Sequence, residues 1–170
     1  MRLEKKVGQL IHRDSCHFDK YGRPLSVSIA DWSIHEDVIY SIREQVFVQE
    51  QGVPIELERD DQDDSCTHAI AQLVDSKLMI ATGRVLSDGH IGRMAVLAPF
   101  RESGVGSIVL STLIRTAATA KLTTVYLNSQ LGAIPFYKRQ GFKVVGQEFL
   151  DAGIIHRRMT LRISDGLPRN

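Results

Sequence analysis

Hydrophobic and polar residues alternate along several short stretches of the chain, which is the pattern of half-buried β-strands. The first such stretch covers residues 26–32, where Val27 and Ile29 lie between serines. Further strands are predicted over residues 68–74, 78–86, 91–97, 123–127, 143–149 and 154–161. Turn signals separate neighbouring strands at Asp75-Ser76, Asp88-Gly89 and Asp151-Ala152-Gly153, so we expect those neighbours to pair antiparallel.

Apolar residues at helical spacing replace the alternation in three places. The first helix is predicted from Val38, Ile39, Ile42 and Val46, with a cap at Ser33 and an end near Gly52. The second covers residues 104–121, and its buried stripe would be Val105, Ile108, Val109, Leu113 and Ala117. The third covers residues 133–140. The order β-α-β-β-β-α-β-α-β-β predicts a mixed α/β domain of the α+β type.

Length and composition fit one globular domain. The chain has 170 residues, of which 43% are hydrophobic and 24% are charged, so it can build a core and does not have the composition of a disordered chain. We expect an irregular N-terminal extension over residues 1–25, because residues 19–24 are rich in turn-forming residues. A single domain should then occupy residues 26–170.

Charge and hydropathy exclude several kinds of partner. The chain has 21 Lys and Arg residues and 20 Asp and Glu residues, for a net charge of +1. This charge gives no strong positive potential for binding the phosphates of a nucleic acid, so we expect no nucleic-acid partner. No apolar run approaches the ~20 residues that cross a bilayer, and the charged start lacks the features of a signal peptide. Cys16 and Cys66 have no zinc-site spacing. We therefore expect a cytoplasmic protein with reduced thiols, no metal and no membrane partner.

The segment after the predicted strand 91–97 carries the most information about function. It reads Arg101-x-x-Gly104-x-Gly106 where a helix should begin. A helix start leaves about four amides without intrahelical partners, and glycines let an anion approach the backbone. The segment is therefore either a plain turn or a diphosphate site. A Walker loop would need Gly-Lys-Ser/Thr here, and a dinucleotide fold would need a preceding parallel strand, so neither motif fits.

These residues resemble the GNAT superfamily of acetyl-CoA-dependent N-acyltransferases. The family's Arg/Gln-x-x-Gly-x-Gly/Ala turn is fully matched. Its segment Asn-x-x-Ala-x-x-x-Tyr-x-x-x-Gly-Phe is similar to Gln130-x-x-Ala133-x-x-x-Tyr137-x-x-x-Gly141-Phe142, with glutamine in place of asparagine. Two more segments look like the ElaA-like branch, one starting Arg43-x-x-Val46-Phe47-x-x-Glu50-Gln51 and one around His156. The likeness covers roughly residues 26–162 and implies a mostly antiparallel central sheet flanked by helices.

The resemblance implies that acetyl-CoA is the co-substrate. It also implies a set of CoA-binding residues, namely Met94, Ala95, Val96, Arg101, Glu102, Ser103, Gly104, Val105, Gly106, Asn128, Gln130, Ala133 and Phe136. One backbone amide of the strand containing Met94, Ala95 and Val96 would stabilise the thioester oxygen as it becomes negative. Holding both reactants can supply up to ~7–11 kcal/mol, so no covalent enzyme intermediate is needed.

Two residues are candidates for proton transfer. Tyr137 resembles the tyrosine that protonates the departing thiolate in this family, and the alternative is a packed core aromatic. His156 is the first candidate for the general base, because imidazole exchanges protons near neutral pH. The alternative for His156 is a structural hydrogen-bonding role. Glu50 and His68 are weaker candidates for the base.

The sequence thus predicts an N-acetyltransferase acting on a small-molecule or peptide amine. The acidic run 56–64 is a solvated loop, a rim that attracts a cationic amine, or both. Arg43 and Phe47 either line a pocket or pack against that loop. One alternative function is an acyl-homoserine-lactone synthase-like acyltransferase, against which the glycine turn and Tyr137 argue. Another is a non-catalytic acyl-CoA-binding sensor. An exposed terminal strand could pair two copies into a homodimer.

Overall fold

A five-stranded antiparallel sheet forms the first half of the computed structural model, which describes residues 15–163. Its strands lie in the order in which they occur along the chain. They are β1 (Ser15–Phe18), β2 (Pro24–Ile29), β3 (Thr67–Leu73), β4 (Met79–Val85) and β5 (Ile91–Val96). Short turns connect β1 to β2, β3 to β4 and β4 to β5, which is why these neighbours pair antiparallel.

A second sheet of three strands follows. It contains β6 (Thr124–Gln130), β7 (Lys143–Asp151) and β8 (Ile154–Arg162), in the order β6-β8-β7. Both pairings are antiparallel. Within the described residues, the two sheets are joined by one parallel bridge, between His90 and Tyr126. The predicted central sheet is therefore two sheets that meet at one point.

The two longest helices lie on opposite faces of the first sheet. Helix α1 (Trp32–Arg43) continues into a π-helical turn (Glu44–Gln49), and α3 (Val105–Thr119) crosses the other face. Shorter helices are α2 (Ile55–Glu58) and α4 (Ile134–Arg139), and 3-10 turns cover Asp63–Ser65, Ala98–Phe100 and Leu131–Ala133. The mixed α+β fold predicted from the pattern is confirmed.

The main core lies between α3 and the two sheets. The stripe predicted for this helix is confirmed, because Val105, Val109, Leu113 and Ala117 are buried and Ile108 is partly buried against the same cluster. A second, smaller cluster joins Ile42 and Val46 to Ala95 of β5. Strand β5 therefore has helices on both faces, and its position relative to α3 and α1 is fixed by packing.

Two predictions about the N-terminal part are corrected. Residues Ser15–Phe18 of the expected irregular extension form β1, because a turn closed by Asp19 lets them pair with residues 24–27 of β2; residues 1–14 lie outside the described residues. The cap of α1 is Asp31 rather than Ser33, since the carboxylate of Asp31 accepts both the amide and the hydroxyl of Ser33. None of the helices described in residues 15–163 is long and apolar enough to cross a membrane.

Candidate active site

The turn between β5 and α3 contains five consecutive amides with no hydrogen-bond acceptor among residues 15–163. They belong to residues 102–106. Glu102 has φ 57° and Gly104 has φ 95°. Alternation between left-handed and right-handed backbone directs successive N–H groups toward one concave surface, and such surfaces bind anions. We call this group the amide nest.

Ser103 fixes the conformation of the amide nest. Its hydroxyl donates to the carbonyl oxygen of Phe100 over 2.5 Å, and its carbonyl oxygen accepts from the amide of Lys20 over 2.9 Å. Ser103 is 1% exposed, so its hydroxyl is committed to the protein and only its amide is free. The side chain of Val105 is also buried in the core while its amide belongs to the nest. These two predicted binding residues thus offer backbone groups only.

Arg101 connects the amide nest to two other segments. Its Nε donates to the carbonyl oxygen of Val96 over 2.9 Å, at the end of β5. Its Nη2 lies 2.6 Å from Oε2 of Glu50, just after the π-helical turn. The side chains of Arg101 and Glu50 are 41% and 37% exposed, so this ion pair lies at the surface. Two of the guanidinium nitrogens that we expected to bind an anion therefore already bind Val96 and Glu50.

A gap opens between β5 and β6 beside the nest. The two strands touch at the His90–Tyr126 bridge, where the amide of Tyr126 donates to Gly89 over 3.0 Å. Beyond that point no ladder joins them within the described residues. A register shift at Arg93 and Met94 bends β5, and Arg93 has φ 50°. We call this opening the strand gap.

The predicted residues Met94, Ala95 and Val96 lie along one side of the strand gap. The amide of Leu97 donates to the carbonyl oxygen of Ile80 on β4. Because backbone groups alternate in direction along a strand, those of Val96 point away from β4, toward the strand gap. The carbonyl oxygen of Val96 accepts the hydrogen bond from Arg101 there. The side chain of Ala95 is fully buried. The side chain of Met94 packs so closely on Gly83 that a Cβ at position 83 would collide with the sulfur of Met94. The same alternation turns the backbone groups of Ala95 toward Thr82 of β4, so Ala95 offers no free backbone group to the strand gap.

Helix α4 brings three predicted residues close to the nest. Ala133 and Phe136 pack on the main core, and the ring of Phe136 would lie 3.6 Å from a Cβ at Gly106. Tyr137 is 9% exposed, with its ring 4.9 Å from Phe136 and 5.9 Å from Phe142. Its hydroxyl has no partner among residues 15–163, and burial raises the pKa of Tyr137 to about 12. The tyrosine is thus a packed core aromatic whose hydroxyl stays protonated at neutral pH.

The second sheet presents an uncovered polar face toward the same opening. Alternation along β6 buries Val125, Leu127 and Ser129 on the α3 side. The opposite side, which we call the open face, carries Tyr126, Asn128 and Gln130 of β6 opposite Thr160, Arg158 and His156 of β8. Nε2 of Gln130 donates to Oε1 of Gln51 over 2.8 Å. The loop after the π-helical turn therefore contacts both Arg101 and this face.

His156 has a defined tautomer on the open face. Its Nδ1 lies 2.8 Å from the carbonyl oxygen of Ile154. A carbonyl oxygen only accepts, so Nδ1 carries the hydrogen and Nε2 of the neutral ring has a free lone pair. The ring of Phe149 lies 6.0 Å away and nearly parallel. This geometry suits both roles considered for His156, because one nitrogen is structural and the other is available.

Half of the acidic run 56–64 is neutralised inside the protein. Arg43, which is fully buried, pairs with Glu58 and lies 2.8 Å from Oδ1 of Asp63. Arg84 lies 2.5 Å from Asp63 and 2.6 Å from Asp60. The hypothesis of an acidic rim for cationic amines is therefore wrong for these three carboxylates, because they hold their loop on the sheet. Arg43 likewise pairs with the loop instead of lining a pocket.

The weaker candidates for the base are also accounted for. His68 is 2% exposed, with its Nε2 2.8 Å from the carbonyl oxygen of Asp63 and its ring stacked 4.5 Å from Trp32. Burial lowers the pKa of His68, and no substrate can reach it. Glu50 is held by Arg101. Among residues 15–163, no group of three or more His, Cys, Asp or Glu side chains could hold a metal ion.

Arg158 and Tyr126 were missed by the sequence reasoning. The guanidinium carbon of Arg158 lies 4.9 Å from the ring centroid of Tyr126, beside Asn128. The available signal was the alternation of β8, because residues two apart on a strand share a face. Since His156 was already a candidate, this rule would have added Arg158 to the same site.

Known proteins share both the sequence pattern and the architecture. A family model described as the acetyltransferase (GNAT) domain matches residues 35–163. A Bacillus subtilis (strain 168) protein, named uncharacterized N-acetyltransferase YjcF, is 39% identical over 128 residues, which are 73% of this chain and 89% of that protein.

Two solved structures illustrate the similarity of fold. An acyl-CoA N-acyltransferase from Pseudomonas aeruginosa superimposes with a TM-score of 0.67 at 27% identity, over 80% of this chain and 98% of that one. ElaA from Escherichia coli gives a TM-score of 0.70 at 24% identity, over 80% and 98% of the two chains. Both proteins share the arrangement described above over nearly their whole length.

Proposed function

Because the chain belongs to the GNAT acetyltransferase family and is therefore an acyltransferase, we propose that it moves an acetyl group from acetyl-CoA to a primary amine by direct attack in a ternary complex. The observation that carries this proposal is the amide nest of residues 102–106, next to the strand gap. Five free donors at the start of a 15-residue helix are a setting for a diphosphate.

The nest can bind a diphosphate strongly enough to anchor the co-substrate. A hydrogen bond to a charged acceptor contributes roughly 1.5–3 kcal/mol, and the helix dipole adds to this near its first turn. Arg101 contributes positive charge that Glu50 partly offsets. The glycine at position 104 provides the positive φ of 95° that the nest requires without the steric penalty of a Cβ.

The strand gap has the shape and chemistry to take an extended thioester arm. On one side lie Met94 and the outward-facing backbone groups of Val96, and on the other lie Asn128 and Gln130, whose polar side chains can pair with amides. Ala133 and Phe136 supply apolar contact near Gly106. Acetyl-CoA, when bound, supplies the thioester carbon that the amine attacks. A free amide on the β5 edge would stabilise the carbonyl oxygen there.

His156 would remove the proton that the amine must lose. With hydrogen on Nδ1, the free Nε2 lone pair is the acceptor on the open face. An alkylamine with a pKa near ~10.4 pays roughly 4–5 kcal/mol to be neutral at pH 7, so an acceptor for this proton is needed. As the new N–C bond forms and the C–S bond breaks, that proton goes to His156.

Tyr137 would give a proton to the thiolate that leaves. Its hydroxyl has no competing acceptor among residues 15–163, and its ring lies 4.9 Å from Phe136, the residue that packs beside Gly106 of the nest. A buried phenol with a pKa of about 12 is fully protonated at neutral pH, so its proton is present when the thiolate leaves.

The experiment is a free-thiol release assay with acetyl-CoA and a panel of primary amines, run on the wild type and Gly104→Ala. A Cβ at φ 95° distorts the nest, so Gly104→Ala should raise KM for acetyl-CoA by about 10-fold or more. Gly153→Ala is the matched control, because Gly153 has φ 77° in open space at the distant β7–β8 turn. Binding of CoA without thiol release on any amine would contradict transfer and leave a CoA-binding protein.

A further inference from the structure

The open face contains one guanidinium that has no carboxylate partner. Arg158 is exposed, and among residues 15–163 no Asp or Glu oxygen lies within 4 Å of its nitrogens. In contrast, Arg43, Arg84, Arg93 and Arg101 all form ion pairs. Arg158, which faces the proposed acceptor side of the strand gap, thus differs from these four arginines in that its charge is available to a ligand.

The orientation of Arg158 is set by its neighbours. Its guanidinium lies over the ring of Tyr126 at 4.9 Å, and its Nε is 3.5 Å from Oδ1 of Asn128. Tyr126 is itself held, because its hydroxyl donates to Oδ2 of Asp88 over 2.6 Å and its ring stacks on His90 at 4.8 Å with 2° between the planes. Stacking fixes the plane of the guanidinium at low cost in entropy.

The two terminal nitrogens of Arg158 remain free to bind an anion. Within the described residues, Nη1 and Nη2 make no hydrogen bond, since Nε is the only nitrogen of this side chain with a partner. A planar pair of N–H donors matches the two oxygens of a carboxylate in a bidentate contact.

Arg158 also lies at a useful distance from the proposed base. His156 and Arg158 are two residues apart on β8 and face the same side, opposite Gln130 and Asn128. Two residues of a strand span about 6.6 Å, so one small molecule can reach both side chains. An amine held at Nε2 of His156 would have its own anionic group, a few bonds away, at the guanidinium of Arg158.

We propose that the acceptor is an amine that also carries a carboxylate, as in a small amino acid, and that Arg158 binds this carboxylate while the amine faces His156. This inference rests on the proposed function and names the acceptor class for the same site. It differs from the cationic acceptor considered for the acidic run, in which Glu58, Asp60 and Asp63 are neutralised by arginines.

The experiment compares acceptors in matched pairs, each an amino acid and its uncharged carboxamide, with acetyl-CoA as donor. The wild type should prefer the carboxylate member of a pair. Arg158→Met should lower kcat/KM for the carboxylate member by about 10- to 100-fold, the loss expected for a charged hydrogen-bonded contact, and change the carboxamide by less than about 2-fold. Arg158→Lys should restore part of the preference, because it keeps the charge and loses the fork.

Arg162→Met is the matched control, since Arg162 is an exposed arginine on the same side of β8 near its end and should leave the preference unchanged. Thermal melting of each variant checks the fold. Equal wild-type kcat/KM for both members of every pair, or an equal loss on both in Arg158→Met, would overturn the inference while leaving acetyl transfer intact. Absence of thiol release with every amine would instead contradict the proposed function.

Discussion

Nη2 of Arg101 lies 2.6 Å from Oε2 of Glu50, and this ion pair joins the turn that carries the amide nest to the end of the first helical segment. The next residue, Gln51, accepts a hydrogen bond from Gln130 on β6 over 2.8 Å. Two consecutive residues of one loop therefore contact both sides of the strand gap. Any ligand in that gap would lie beside a carboxylate that is already paired.

Glu50→Gln should strengthen CoA binding. The substitution removes a negative charge next to the proposed diphosphate site and leaves the charge of Arg101 uncompensated, so Kd should fall by about 2- to 5-fold at low salt. The gain should shrink in high salt, because both side chains are exposed. Calorimetric titration at two salt concentrations measures this. Glu44→Gln is the control, since Glu44 is a comparably exposed acid near Arg59. Weaker CoA binding in Glu50→Gln would contradict the assignment.

Tyr137→Phe should lower kcat by about 100-fold or more with little change in the Kd of CoA. The proton-donating form of Tyr137 exists below its pKa of about 12 and is lost only as pH rises through that value. Burial is the cause of this raised pKa. Wild-type kcat should therefore show no descending limb from this residue below about pH 11. A limb between about pH 8 and 10 that disappears in Tyr137→Phe would contradict this placement of the acid.

His156→Ala should lower kcat by about 100-fold or more, because the free Nε2 is the proposed proton acceptor. Added imidazole should restore part of the rate, since a small base can occupy the vacated space. His35→Ala is the control: Nδ1 of His35 also lies 2.9 Å from a backbone carbonyl oxygen, on α1, outside the site. Steady-state rates with and without imidazole test whether His156 is the base. An undiminished kcat in His156→Ala would show that His156 does not take part in the mechanism.

Asp60→Asn should flatten the dependence of stability on acid pH. The hydrogen bond from Arg84 lowers the pKa of Asp60 to about 2, in spite of its partial burial. A carboxylate with a depressed folded-state pKa contributes stability above its ordinary value of ~3.9 and loses it as pH falls through about 2. The contribution should be about 1–2 kcal/mol, because Asp60 is 31% exposed.

Urea unfolding at several pH values between about 2.5 and 7 measures this effect as the free energy of unfolding. The matched control is Asp61→Asn, because Asp61 is exposed and has no ion-pair partner within the described residues. Identical curves for the wild type and Asp60→Asn would mean that the Asp60–Arg84 pair does not stabilise the fold.

The parts of the site that depend on local sequence could be predicted. The nest requires a positive φ at the residue before α3, and glycine adopts it without strain, so Gly104 indicated a turn there, while the choice of a diphosphate site over a plain turn came from the family resemblance. The positive φ of Glu102 was not predictable, because nothing in a glutamate indicates it. Helix α3 could also be predicted from the sequence, since its buried stripe follows the helical period.

The parts that depend on distant contacts could not be predicted. Arg43 lies 15 residues before Glu58 and 20 before Asp63. No local pattern predicts that these three residues form buried ion pairs. The prediction of Ser33 as the cap of α1 was wrong because Asp31, two residues earlier, is a residue type that caps helices equally well. The two-sheet arrangement follows from the bend in β5, which only the register of its pairing with β4 reveals.

A crystal structure with bound CoA tests the central claim most directly. The account predicts diphosphate oxygens within about 2.7–3.2 Å of the amide nitrogens of residues 102–106, with the thioester arm running between β5 and β6. A diphosphate bound at another surface, with these five amides left without an anion, would contradict it.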